Sequence, residues 1–337
     1  MGRCKMGLDH IARDTSLKSL PTNLEASQGE QRNSPTAKPR AVPFWAVFIL
    51  CSGLFLGCSR QGLRCLLIAR YNPWTVRILF LSDIHGNHEA LQAVLKDAAS
   101  REYDRVIFLG DAVGYGPQPV EVLETLEGLG ANCIIGNHDE WLLQISHGGD
   151  YSQYGLVGMV LNWQLKQLGP RHLSLIRTWV GKRTISLEDA PKVTERLPPE
   201  FLIIHGSPRS AFEYTDSLTT ARAIFAAWPD RLAFVGHTHV PGIYATLEGP
   251  VGDWTRHHAA TDWHTKVPMP PKARWIVNPG SVGQPRDGNP KASYGILDLE
   301  RGVMEFHRVD YDIEAVQAKI RNAGLPEGFG LRLTLGR

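Results

Sequence analysis

The stretch VRILFLSDIHGNHEA, residues 76–90, decides how the rest of the chain is read. VRILFL (76–81) is a short apolar run that stops at a polar cluster, which predicts a buried strand. Behind the cluster, Leu91, Val94, Leu95 and Ala98 recur at helical spacing, and Asn87 suits the N-cap of that helix. Strand, tight turn and amphipathic helix make one βα unit. Its turn holds Asp83, His85 and His88, and nothing local tells a ligand from a turn residue among them.

The same pattern returns along the chain. RVIFLGD, CIIGNHD, FLIIHG, LAFVGHTH and WIVNPGS each join an apolar run to a polar or glycine-rich turn. Helical patterns separate the early runs, as Val122, Leu123, Leu126 and Leu129 do before a helix stop at Gly130. Apolar strands alternating with helices predict a layered α/β fold, in which ligands collect beyond the carboxyl ends of the strands. That edge gathers Asp83, His85, Asp111, Asn137, His138, His205, His237 and His239. Successive strand ends offering Asp, Asn and His, with no Cys, are hard to derive from folding needs alone. Crowded together, such groups repel or desolvate one another unless a cation neutralises them, so the set predicts metal binding. Its N and O donors are too many for one tetrahedral zinc and suit a pair of Mn, Fe, Ni, Co or Zn ions. Two ions ~3.5–4 Å apart can clamp the attacking and leaving oxygens of a phosphoryl displacement.

The 337 residues are 43% hydrophobic and 21% charged, an ordinary globular composition with room for a large core. The net charge of +2 hides an asymmetry: residues 1–75 carry ten Lys/Arg against four Asp/Glu, and the remainder is slightly acidic. A broad basic footprint for nucleic acid is therefore absent. Four of five cysteines precede residue 76, no disulfide or zinc-type spacing is visible, and Cys133 lies in an apolar run as a reduced thiol. This usage suits a cytoplasmic setting. Residues 15–40 have a disorder-type composition, and 1–75 are expected to form a disordered extension before the domain at 76–337. Within it, residues 41–58 run without a charge at the lower edge of a membrane-span length, so a membrane anchor is the alternative to a dispensable extension. Export is the third alternative.

Taken in order, D-x-H at 83–85, GD at 110–111, GNHD at 136–139, His205 and GHTH at 236–239 resemble the calcineurin-like metallophosphoesterases. The resemblance covers essentially residues 76–337. NPGSVGQPRDG (278–288) resembles the bacterial branch of small phosphodiesterases. The resemblance implies a four-layer αββα sandwich, two β-sheets flanked by helices. It implies Asp83, His85 and His239 at one ion, Asn137, His205 and His237 at the other, and Asp111 bridging them. A carboxylate has two oxygens for such a bridge, whereas Asn137 offers one neutral carbonyl. His138 resembles the family's general acid, and His88 reads as structural. The implied reaction is hydrolysis of a small or nucleotide-type phosphoester by a hydroxide bridging two metal ions, with His138 protonating the departing oxygen.

The departures are informative. Protein Ser/Thr phosphatases carry GDxxDRG, whose second Asp supports the acid histidine and whose Arg grips phosphate. Here GDAVGYG puts Gly114 and Tyr115 in those places, which argues against that alternative. The symmetric dinucleotide tetraphosphatases also keep an Arg after this motif, so they fit less well than a small phosphodiesterase. Arg209 in HGSPR and Arg286 in GQPRDG are candidate phosphate grips, because guanidinium offers a planar pair of donors. Residues 247–274 read as an insertion between two strands, either a surface loop or a lid over the site. Its histidines, His257, His258 and His264, stay outside the ligand set, as do His147, His172 and His307. The superfamily also contains non-catalytic scaffolds, such as a retromer subunit, that lose parts of this constellation. Every position is present here, so catalysis is expected.

Overall fold

The computed structural model describes residues 76–187, 197–247, 254–259 and 264–337. The expectations for residues 1–75, the apolar segment 41–58 included, lie outside the described residues. The first half runs β1 (Arg77–Leu81), α1 (His88–Ala99), β2 (Arg105–Phe108), α2 (Pro119–Gly128), β3 (Asn132–Cys133) and α3 (Asn137–Ser146). Then come α4 (Gly155–Leu165), α5 (Pro170–Arg177), β4 (Lys182–Ser186), β5 (Glu200–Ile204), α6 (Leu218–Ala227) and β6 (Leu232–Phe234). The last part holds β7 (Gly242–Leu247), β8 (Trp254–Ala259), β9 (His264–Pro268), β10 (Arg274–Asn278), β11 (Ala292–Asp298) and β12 (Val303–Val309). It ends on α7 (Ile313–Asn322) and α8 (Glu327–Leu335).

Two six-stranded sheets form, in the orders β3-β2-β1-β11-β12-β9 and β4-β5-β6-β10-β7-β8. Each has a parallel trio, β1–β2–β3 in one and β5–β6–β10 in the other, extended by antiparallel strands. Alternation along β1 explains the layers. Ile78 and Phe80 join a core shared with Phe201, Phe234, Ile243 and Val277 of the second sheet, while Leu79 and Leu81 join Leu91, Val94, Leu123 and Leu126 of the helices. A strand buried on both faces needs a continuous apolar run, which is what 76–81 supplies. The rings of Phe80 and Phe234 stack between the sheets, centroids 3.9 Å apart. On the far side α6 covers the second sheet through Ile224, Phe225 and Trp228. The result is the four-layer αββα sandwich.

Helix α1 starts as its sequence predicts, with Asn87 Oδ1 accepting from the Ala90 amide at 3.1 Å. The same amide group donates through Nδ2 to the Gly283 carbonyl at 2.8 Å, so the cap also fixes the loop after β10. His88 lies 3.3 Å from the Thr125 hydroxyl, away from the strand ends. Cys133 is buried and free, and burial pushes its thiol up to about 12, which makes it inert.

The insertion differs from the expected loop. Its described parts are terminal strands of the two sheets: β8 pairs with β7 in the second sheet, and β9 pairs with β12 in the first. An edge strand has unpaired backbone groups, and adding one strand to each sheet satisfies them. Among the described residues no helix is long and apolar enough to cross a membrane.

Candidate metal centre

Both parallel trios end at the same edge of the sandwich. Past β1 come Asp83 and His85, past β2 Asp111, past β3 Asn137 and His138, past β5 His205, and past β6 His237 and His239. The turns stay tied as the strands were: Asp83 N donates to Gly110 O at 3.0 Å, His85 N to Asp111 O at 3.0 Å, and Gly236 N to His205 O at 2.8 Å. Asp83, His85, Asp111, His237 and His239 all have φ between 52° and 67°; among the described non-glycine residues only Glu102 and Tyr115 also have positive φ. An L-residue held there costs about 1 kcal/mol or more, so the strain is concentrated where the donors are.

The donors converge in two groups that share one residue. Asp83, His85, Asp111 and His239 form one, and Asp111, His205 and His237 the other; within each, the candidate ligand atoms lie within 4.8 Å of one another. Asn137 Oδ1 joins the second group 3.2 Å from His205 Nε2. All are buried.

The outer hydrogen bonds decide which nitrogens face inward. Nδ1 of His85 points at the Val113 carbonyl (2.8 Å), Nδ1 of His205 at Leu109 O (2.7 Å) and Nδ1 of His239 at Gln284 O (2.6 Å). A carbonyl only accepts, so each Nδ1 carries a proton, and wherever the ring is neutral its Nε2 presents a lone pair. Yet His85 Nε2 and His239 Nε2 stand 3.1 Å apart. Two lone pairs at that distance repel unless a proton or a cation lies between them. The charge balance agrees. Burial above all, with the charge of Asp111, pushes Asp83 up to about 7. Burial also works against charge on His205, but Asp111 and Asp83 outweigh it and raise that imidazole to about 9. The site draws positive charge to its centre, and the N and O donors fit divalent cations.

Several supporting residues carry no signal in the local motifs. Asp139, fully buried, accepts from the amides of Asp111 (2.8 Å), Ala112 (2.9 Å) and Gly136 (3.0 Å), which locks two ligand turns together. Its position in GNHD was the available signal. Gln164 of α4 does the same for 114–116, bonding Gly114 N at 2.8 Å and Gly116 O at 2.7 Å, and nothing in its sequence neighbourhood announces it. A Cβ at Gly136 would collide with the Asp111 carboxylate, so this turn tolerates only glycine.

His138 is buried beside the cluster, its Nε2 4.0 Å from Asp111 Oδ2. The rings of His85, Tyr115 and Trp141 surround it at 4.6–5.0 Å. Its Nδ1 meets no hydrogen-bond partner among the described residues, and a Cβ at Gly114 would strike that atom. The carboxylate that protein phosphatases place after GD has no counterpart here. Burial foremost lowers His138 to about 4, which leaves it neutral.

The cluster opens into a cleft of about 510 Å³, floored by Asp111, His138 and His239 and walled by Tyr115, Trp141, Tyr154, Phe212 and Tyr214. Arg286 lines it, its Nη2 3.1 Å from Tyr115 Oη. Arg332 of α8, missed by sequence reasoning, approaches the same tyrosine ring at 5.6 Å. Arg209 lies elsewhere: its Nε donates to Glu213 at 3.1 Å and its Nη2 pairs with the same carboxylate. It braces the segment that carries Phe212 and Tyr214 instead of lining the cleft.

The family model for a calcineurin-like phosphoesterase superfamily domain matches residues 76–302. An uncharacterized protein of Methanocaldococcus jannaschii is 34% identical over 269 residues, covering 77% of this chain and 98% of that one. The crystal structure of a metallophosphoesterase from Sphaerobacter thermophilus is 36% identical, with a TM-score of 0.64 over 78% of this chain and 100% of that one. A symmetrical bis(5'-nucleosyl)-tetraphosphatase of Psychromonas ingrahamii is 39% identical over only 71 residues, 20% of this chain and 26% of that protein. With the match running from β1 to the turn before β12, this chain belongs to the calcineurin-like phosphoesterase superfamily and is a phosphoester hydrolase.

Proposed function

We propose that the protein is a two-metal phosphoesterase, a phosphodiesterase or phosphatase, acting on a small or nucleotide-type substrate. The observation that carries this is the pair of buried donor groups sharing Asp111 at the floor of an open cleft. Asp83, His85 and His239 would hold one ion, Asn137, His205 and His237 the other, with Asp111 common to both. Two divalent cations bound there would lower the pKa of water and neutralise charge on phosphoryl oxygens.

The chain's own groups supply the rest. Arg286 offers the cleft a guanidinium for a phosphoryl oxygen, while Arg209 is engaged by Glu213. His138 is neutral in the free protein; an anionic ester beside it favours its protonated form, from which it can hand a proton to the departing oxygen. Aromatic walls stand beside these groups, and an ester seated between them displaces water and strengthens each contact. The bare Nδ1 of His138 supports a small ester over a phosphoprotein, because the support that protein phosphatases give this histidine is missing.

The test is metal-dependent hydrolysis of bis(p-nitrophenyl) phosphate against p-nitrophenyl phosphate with Mn, Ni, Co or Fe, and its suppression by a chelator. A faster diester identifies a phosphodiesterase. No turnover of either ester with any of these metals would instead support a metal-bound scaffold.

A further inference from the structure

A second cavity, of about 320 Å³, adjoins the cleft on the outer face of the second sheet. Strand register builds its floor: Ile276 on β10, Tyr244 on β7 and His257 on β8 lie directly opposite one another across three strands. The Tyr244 and His257 rings stack 4.4 Å apart at 21°. Tyr214, Thr215 and Asp216 line the cavity from the segment after β5. Tyr214 and Arg286 line both cavities, so the second cavity lies beside the cleft across these two side chains.

Two polar atoms of the wall residues are unpaired. Thr215 is 5% exposed and its Oγ1 has no hydrogen-bond partner among the described residues; Arg286 Nε has none either. A buried hydroxyl left unpaired is costly, which makes its placement on a cavity wall informative. By contrast Asn278, also on the wall, is satisfied by Gly236 O at 2.7 Å and Thr238 Oγ1 at 2.9 Å. Apolar and aromatic walls with a few convergent polar atoms are the pattern of a site for a flat ring with a polar edge.

We infer that this cavity binds the heteroaromatic ring of the substrate's organic arm, a nucleobase or a ring of similar size and polarity. Thr215 borders the ring's polar edge, and Tyr244 and His257 contact its apolar body. The inference rests on the proposed phosphoesterase function and narrows its substrate class to nucleoside-type esters. It also gives part of the 247–274 insertion a role: β8 brings His257 to the wall, making the insertion a specificity element.

Two esters with one leaving group test it, thymidine 5'-(p-nitrophenyl phosphate) and methyl p-nitrophenyl phosphate, on the full chain loaded with Mn. The expected result is a preference of about tenfold or more in kcat/KM for the nucleoside ester, expressed in KM. Thr215→Val, nearly isosteric, and His257→Ala, on an edge strand, should each cut that ratio about fivefold. A ratio equal in the parent and both variants overturns the inference while leaving phosphoesterase activity intact. If neither ester is hydrolysed with any metal, the phosphoesterase function fails instead. The ring site is then decided by calorimetric titration of thymidine monophosphate into the metal-free chain: binding weakened by both substitutions supports it, and equal or absent binding overturns it.

Discussion

Two pairs of imidazoles face each other in this protein at almost the same distance, and only one is built for metal. His85 Nε2 and His239 Nε2 are 3.1 Å apart; His264 Nδ1 and His307 Nδ1, on β9 and β12, are 3.0 Å apart. In the first pair both outer nitrogens are committed to backbone carbonyls, so both inner nitrogens are bare acceptors, and Asp83 and Asp111 stand beside them. In the second, His264 is exposed, and His307 Nε2 lies 3.5 Å from Glu305. One ring of that pair is free to donate to the other, and the conflict does not arise. Histidines at ligand distance are thus not yet a metal site. Their outer hydrogen bonds and the neighbouring carboxylates make the difference.

The comparison breaks most visibly at Asp111, which belongs to both donor groups. Asp111→Asn should remove both metals, read by elemental analysis, and lower kcat about 10³-fold or more. Two metals retained at full rate would sink the ligand assignment. Next comes His138→Ala, expected to keep the metal content and to lower kcat about 10²-fold or more on alkyl esters, with a smaller loss on p-nitrophenyl esters that need no acid. An equal loss on both ester types would assign His138 to structure.

The other imidazole pair gives a stability prediction. The contact with His307, together with Lys266 and Arg77, outweighs burial and holds Glu305 down to about 2 from its usual 4.5. A carboxylate with a depressed folded pKa stabilises above its unfolded pKa, and this is lost as pH falls through the folded value. Glu305→Gln should therefore cost about 1–2 kcal/mol at pH 7, with the gap to the parent closing between about pH 4.5 and pH 2 in urea titrations. A gap independent of pH would mean that packing, not charge, is lost. The smallest effect belongs to Arg209→Ala. Its pairing with Glu213 is partly exposed, so stability should change by about 0–1 kcal/mol; a tenfold rise in KM would put Arg209 in the cleft after all.

Much of the site was legible because each donor follows directly on an apolar run. Residues 76–81, 105–109 and 232–235 read as buried strands, and a strand's end is where the chain can turn polar groups toward a common edge. The position of His88 at the start of α1 was legible for the same reason. The insertion was not, because β9 has an exposed–intermediate alternation with Lys266 and Pro268, which looks like a loop. Only pairing with β12 makes it a strand. Arg209 was misplaced because a guanidinium after a ligand turn looks the same in sequence whether it meets phosphate or a glutamate four residues on.

The sequence by itself determined the periodicities, and so the strands, the helices between them and the polar residues at each strand's end, because those depend on neighbours a few positions away. Tertiary structure alone decided which donors meet, the left-handed backbone that aims them, the carboxylate of Asp139 beneath them and the second cavity beside them. Each depends on groups brought together from different sheets or turns. Asp83 and His239 are 156 positions apart in the chain, yet His239 Nε2 stands 3.3 Å from Asp83 Oδ1, a distance set by two sheets packing face to face and by no local rule.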